Sequence, residues 1–166
     1  MKRISILFVC MGNICRSPLA EGIFSHIADE AGLGDAFSID SAGLGGWHQG
    51  ELPDRRSIAT ASAHGIDISG QRARKILLED FDGFDLILAM DRSNVSELRR
   101  RSPDRENIHL FGDFALDTGE DIPDPYYGDR EDFEFVYARL FNGCSTLVER
   151  LGAISGSWSG NTSSVR

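Results

Sequence analysis

Cysteine is scarce in this chain: three residues in 166, Cys10, Cys15 and Cys144, at spacings that suit neither a disulfide framework nor a zinc site. Free thiols of this kind fit a reducing compartment. Positive charge is also in short supply. The chain has 17 Lys and Arg against 26 Asp and Glu, a formal net charge of −9, which argues against nucleic acid or an anionic membrane as the main partner. No apolar run approaches the roughly 18 residues of a membrane span. The basic start Met1-Lys2-Arg3 precedes only a short apolar stretch, which flows into Cys10-Met11-Gly12-Asn13 and not into a small-residue cleavage site. It reads as a first strand, and the protein is expected in the cytoplasm.

What is present suits one globular domain: 41% hydrophobic and 26% charged residues in a chain of ordinary domain length. Residues 4–9 are β-rich and apolar almost throughout, as in a strand buried on both faces. A helix follows, with Ser17 expected as N-cap, Pro18 in the first helical position, and apolar positions repeating until Gly32. Further strands are expected over residues 37–41, 84–90 and 108–111. Further helices are expected from Pro53 to His64-Gly65, from a cap at Asp91 to Arg101, and after the acidic segment 113–124. In the last helix Phe133, Val136, Tyr137, Leu140, Cys144, Leu147, Val148 and Leu151 trace one apolar stripe. The alternation implies an α/β domain, a four-stranded parallel sheet with helices on both faces and a ligand site at the carboxyl ends of the strands. The domain is expected over residues 1–152, followed by a flexible Gly/Ser-rich tail over 153–166.

Cys10 stands at the end of the first strand, followed by Met11-Gly12-Asn13-Ile14-Cys15-Arg16-Ser17-Pro18. A loop that opens a helix presents backbone N–H groups the helix cannot satisfy, a natural anion site. Gly12 and Asn13 tolerate the positive φ angles of such a loop. Arg16 adds a planar fork for two phosphate oxygens, and the positive surroundings favour a thiolate at Cys10, the nucleophilic form. The Cys and Arg spacing alone favours a buried strand-end cysteine and a surface arginine. The Gly-Asn pair, the strand before and the Ser-Pro after it favour the phosphate loop. No Gly-Lys-Ser/Thr follows, and the loop has one glycine, which excludes the nucleotide-binding alternatives. Because the acidic chain repels phosphorylated substrates at long range, the loop has to act through local geometry.

These residues resemble the signature of the low-molecular-weight protein-tyrosine phosphatases. Asp124-Pro125-Tyr126-Tyr127 resembles that family's acid loop, and Asp40-Ser41-Ala42-Gly43, His64-Gly65-Ile66 and Met90-Asp91-Arg92-Ser93-Asn94 match in the same order, with Arg92 where an acidic residue is common in eukaryotic members. The resemblance implies hydrolysis of phosphotyrosine in proteins through a phosphocysteine at Cys10, with inorganic phosphate as product and no metal or cofactor. It implies Arg16 as the phosphate grip and Asp124 as general acid and then base; on sequence alone Asp117, Glu120, Asp121 and Asp129 compete with it. It further implies Ser17 as a donor to the departing thiolate, and a supporting network of Asn13, Ser41 and His64, with Glu21 and Asp40 as partners for His64. The loop residues Met11, Gly12, Asn13, Ile14 and Cys15 would meet the phosphate, while Trp47, Tyr126 and Tyr127 would line a deep cleft suited to a phenyl ring.

Two thiols in one loop also suggest a reversible Cys10–Cys15 disulfide that spares the nucleophile from deeper oxidation. Cys144 reads as core. The basic runs 72–75 and 99–101 read as ordinary surface charge, the second favoured at a helix C-terminus. A thiol-dependent arsenate reductase is the nearest rival, but it needs further cysteines, and residues 72–96 contain none. A catalytically dead phosphopeptide-binding module would lack the nucleophile, arginine or acid, and all three are present. A monomer is expected.

Overall fold

The structure, a computed structural model, describes residues 3–158; for residues 155–158 only the backbone is described. Strands β1 (Ile4–Cys10), β2 (Phe37–Gly43), β3 (Leu86–Ala89) and β4 (Ile108–Leu110) form one parallel sheet in the order β2-β1-β3-β4. The helices are α1 (Arg16–Glu30), α2 (Arg55–Ala63), α3 (Asp80–Gly83), α4 (Arg92–Arg101), α5 (Phe111–Phe114) and α6 (Arg130–Trp158). The expected α/β architecture is therefore present. No described helix is long and apolar enough to cross a membrane.

The apolar run of β1 serves two cores. Ile6, Phe8 and Cys10 face one way, against Leu19, Ile23 and Phe24 of α1 and Val136, Leu140, Cys144 and Leu147 of α6. Leu7 and Val9 face the other way with Ile87 and Ala89, against Phe81 of α3 and Val95 and Leu98 of α4. Successive strand residues point to opposite faces, so a strand covered on both sides is apolar on both, as β1 is from Ile6 to Cys10. The α6 stripe is buried from Phe133 to Val148, including Cys144.

Some boundaries differ from expectation. Phe111, expected to end β4, begins α5, where its ring packs 6.3 Å from that of Phe8. Helix α1 begins at Arg16, with Cys15 in the cap position making no side-chain cap bond. Ser17 is not the N-cap, because its hydroxyl is taken up by Cys10 and Asn13. Helix α6 continues past residue 152 to Trp158; the rest of the expected tail, 159–166, lies outside the described residues.

The sheet order reverses beside β1: the chain moves outward to β2 and then returns to add β3 on the other edge. A crevice opens at such a switch point, beyond the carboxyl ends of the strands. Cys10 ends β1 there.

Phe8 is fully buried between Phe24 and Phe111, with ring centroids at 6.1 and 6.3 Å. Phe8→Ala is expected to lower unfolding free energy by about 3–5 kcal/mol in urea titration. Leu78→Ala, at a position 73% exposed, should stay within about 0.5 kcal/mol of wild type.

Candidate active site

The loop between β1 and α1 is braced from behind. Asn13 adopts φ of 60°, the left-handed turn of the loop; Gly12 does not share it. Its side chain is buried and fully used: Nδ2 donates to Ser17 Oγ at 2.8 Å and to Ser41 Oγ at 3.0 Å, and Oδ1 accepts from the Arg74 amide at 2.9 Å. Asn13 thus lies behind the loop and does not line the cavity, contrary to its expected place among the substrate-contacting residues. Gly43, at the end of β2, permits this closeness, since a Cβ there would stand 2.8 Å from the Gly12 carbonyl carbon and 2.9 Å from the Asn13 nitrogen. Helix α2 supports the other side: the Asp54 amide donates to Ile14 O at 2.8 Å, and Ser57 Oγ donates to Cys15 O at 3.3 Å.

So braced, the loop turns its amides outward. Those of residues 11–15 donate to no hydrogen bond among the described residues. Cys10 lies at the floor, with Ser17 Oγ 3.0 Å and the Ser17 amide 3.5 Å from its Sγ. Ser17 Oγ accepts from Asn13, and of the two acceptors within reach of its own proton, Ala42 O at 3.5 Å and the Cys10 sulfur at 3.0 Å, the sulfur is the nearer; donated there, the proton stabilises negative charge.

The network behind the loop ends differently from expectation. Ser41 Oγ donates to Glu21 Oε1 at 2.6 Å, and Asp40 pairs with Arg74 at 3.1 Å. His64 is not in the network. Its Nε2 meets Glu134 at 2.9 Å, and its ring stacks on Tyr137 at 3.9 Å between centroids. Helix α2 touches the loop with its N-terminal end and is 9 residues long, so its far end lies about 14 Å away, beside α6. The supporting part expected of His64 falls to Glu21 and Arg74, on opposite sides of Asn13. Burial pushes the Glu21 carboxyl up to about 7, aided by the charge of Asp40 and opposed by the Ser41 hydrogen bond and Arg74.

Arg16 is 1% exposed. Its Nη1 donates to Asp91 Oδ2 at 2.7 Å and to Ile122 O at 2.9 Å, Nη2 lies 3.7 Å from Asp124 Oδ2, and Nε is buried without a partner. Burial works against its charge, but the negative groups Cys10, Asp91 and Asp124 hold its pKa above the ordinary value. Asp91 does double duty, since its other oxygen caps α4 by accepting from the Asn94 amide at 2.8 Å. The sequence pattern revealed only the cap.

The cavity above Cys10 measures about 340 Å³ and is lined by the loop, Arg16, Trp47, His48, Asp124, Tyr126 and Tyr127. Of the five acidic candidates, only Asp124 reaches it. Glu120 is held by Arg139, Asp121 by Arg92, and Asp129 Oδ1 accepts from the Asp132 amide. Asp124 Oδ1 accepts from the Tyr126 amide at 3.1 Å, leaving Oδ2 toward Arg16. Tyr126 packs edge-on against Tyr127 at 4.9 Å and is backed by Arg56 at 5.5 Å. Trp47, 68% exposed, and Met11 stand at the mouth. His48, bound to Glu51 at 3.0 Å, also lines the cavity, and no spacing in the sequence marks it. Cys15 lines it too; burial and the charges of Asp54, Cys10 and Asp124 push its thiol up to about 12, against a hydrogen bond with Ser57. Among the described residues, no cluster of three His, Cys, Asp or Glu is placed to hold a metal ion.

The fold and the site define a parallel α/β protein whose strand-to-helix loop presents a cysteine and an arginine to an anion. The family model described as low molecular weight phosphotyrosine protein phosphatase matches residues 5–155, and the chain belongs to that family of hydrolases. The low molecular weight phosphotyrosine protein phosphatase of Sus scrofa is 40% identical over 151 residues, spanning 89% of this chain and 95% of that one. The crystal structure of YfkJ from Bacillus subtilis superposes with a TM-score of 0.85 at 39% identity, covering 93% of this chain and 98% of that one. A protein tyrosine phosphatase of Entamoeba histolytica, with Hepes in its active site, gives 0.85 at 34% identity over 90% and 97%.

The elevated Glu21 implies a pH effect on stability. Between about 4.5 and about 7 the folded chain holds a proton at Glu21 that the unfolded chain releases, so this stabilisation is complete below 4.5 and lost as pH rises through 7. The Tm of wild type minus that of Glu21→Gln should therefore fall across that window and level off above it. A difference that stays constant in thermal unfolding would contradict the assignment.

Proposed function

We propose that this protein hydrolyses phosphotyrosine in proteins through a phosphocysteine on Cys10. The observation that carries this reading is convergence. One cavity is lined by Cys10, by Met11, Gly12, Ile14 and Cys15 with their unpartnered amides, by Arg16 and by Asp124. Unpartnered loop amides and a guanidinium suit a dianion with three terminal oxygens.

In the first step Sγ attacks phosphorus and the bond from phosphorus to the aryl oxygen breaks. Asp124 gives that oxygen its proton, so tyrosine leaves neutral. In the second step the Asp124 carboxylate takes a proton from water. The water oxygen bonds to phosphorus, the S–P bond breaks and inorganic phosphate departs. Ser17, 3.0 Å from sulfur, donates to the thiolate as it leaves. The sulfur is nearly buried while Trp47, Met11, Tyr126 and Tyr127 ring the mouth, a depth that a phosphotyrosine spans and a phosphoserine does not. Relay through a third cysteine, as in a reductase, is disfavoured because Cys144 is sealed in the core and does not line the cavity. Free thiols fit action in the reducing cytoplasm.

Cys10→Ser should abolish turnover of phosphotyrosine peptides and of p-nitrophenyl phosphate. Asp124→Ala should slow phosphotyrosine turnover about 10²–10⁴-fold while inorganic phosphate still inhibits. Near-normal turnover in either variant would remove that residue from its role.

The same cavity supports reversible oxidation. Peroxide converts the Cys10 thiolate to a sulfenic acid, and the Cys15 sulfur then displaces its hydroxyl as water, forming a disulfide that added thiol reduces. Cys15→Ser should recover less activity than wild type when dithiothreitol follows peroxide, and full recovery of that variant would end the protective role.

A further inference from the structure

We propose that Arg92 is a positioning residue for the general acid, holding the segment that carries Asp124 against the N-terminus of α4; this rests on the reading of Asp124 above. Arg92 is the first residue of α4, next to the Asp91 that holds Arg16. Its guanidinium reaches two points of the acid segment, Nη1 donating to Asp121 Oδ1 at 3.1 Å and Nη2 to the Gly119 carbonyl. Its backbone amide donates to the same Asp121 oxygen at 3.1 Å. Asp121 thus satisfies one of the free amides of the helix N-terminus, where a carboxylate is favoured.

The arrangement fixes the acid relative to the phosphate grip. Adjacent residues of one helix end hold the two parts: Asp91 the arginine, Arg92 the acid segment. Between Asp121 and Asp124 lie only Ile122 and Pro123, and Pro125 follows. Ile122 is pinned on both sides, its amide donating to Met90 O at 2.8 Å and its carbonyl accepting from Arg16. Pro123 and Pro125 lock φ on either side of Asp124, so a segment held by Arg92 at Asp121 and by these bonds at Ile122 leaves its carboxyl group few alternative placements. Upstream the segment turns through positive φ at Asp117 and Gly119, and Thr118 and Gly119 donate to the Gly112 carbonyl. A Cβ at Gly112 would collide with the Glu120 backbone at 1.7 Å, so the root of the segment is seated as tightly as its tip. Arg139 holds Glu120 at 2.6 Å. Among these anchors Arg92 is the side chain that ties the acid segment to the first turn of α4, beside its cap Asp91. Its side chain is 67% exposed and that of Asp121 43%, so the ion pair alone contributes little to stability; its effect is on where Asp124 stands.

A misplaced acid reveals itself through the leaving group. Phosphotyrosine needs its departing oxygen protonated; p-nitrophenolate leaves well without help. Arg92→Ala is expected to lower kcat/KM for a phosphotyrosine peptide about fivefold and for p-nitrophenyl phosphate less than twofold, with inhibition by inorganic phosphate unchanged. Arg92→Glu, which sets a carboxylate against Asp121, should widen the phosphotyrosine loss to about tenfold. Arg92→Lys, which keeps the charge and the fold, should fall between wild type and Arg92→Ala. In an Asp124→Ala background, Arg92→Ala should have no further effect, because its influence passes through Asp124. Equal losses on both substrates, no loss on either, or an undiminished loss in the Asp124→Ala background would each overturn the proposal. If Asp124→Ala itself left phosphotyrosine turnover intact, the acid assignment would fail, an outcome distinct from any of these.

Discussion

The side-chain amide of Asn13 is the piece on which the rest of the site depends. A loop that turns its N–H groups toward a ligand needs a residue at positive φ and needs its inner polar surface satisfied without water. Asn13 meets both needs, with φ of 60° and three hydrogen bonds to Ser17, Ser41 and the Arg74 amide. The direction of those bonds matters as much as their number. Because Asn13 donates to both hydroxyls, Ser41 must pass its proton to Glu21 and Ser17 is left to face the Cys10 sulfur. A formal charge of −9 does not defeat such a site, because the donors act at hydrogen-bond distance while the field of the whole chain is screened over about 10 Å.

The two halves of the site differ in physical character. Cys10 and Arg16 are set in the core, at 2% and 1% exposure, held by strand, helix and the hydrogen bonds around Ser17 and Asp91. Asp124, the proposed acid, sits on a surface segment whose shape comes from discrete anchors at Glu120, Asp121 and Ile122. The N-terminus of α4 joins the halves through Asp91 and Arg92. A rigid grip with a separately tethered acid is consistent with chemistry in which the acid must give a proton in one step and take one in the next.

Much of this was legible in the chain. The apolar run of β1, the helical stripe from Phe133 to Leu151 and the cap at Asp91 correspond to observed elements, because each is a property of neighbouring residues. Asn13 was legible as a positive-φ residue, but Gly12 was not needed for it, since one left-handed residue closes the loop. Ser17 has the composition of a cap and is none, because a buried thiol and amide compete for its hydroxyl. His64 was expected behind the loop, yet the length of α2 carries it to Glu134.

The sequence by itself determined the strand, the loop and the order of elements, since hydrophobic periodicity and loop chemistry act over a few residues. Partnerships across the chain were decided only by the tertiary structure. Arg16 meets Asp91 75 residues on, Asn13 meets Arg74 61 residues on, and His64 meets Glu134 70 residues on. Nothing local distinguishes Glu21 from the other acids or His48 from the other histidines. Their surroundings are assembled by packing, and packing decides which acid is buried against Ser41 and which imidazole faces the cavity.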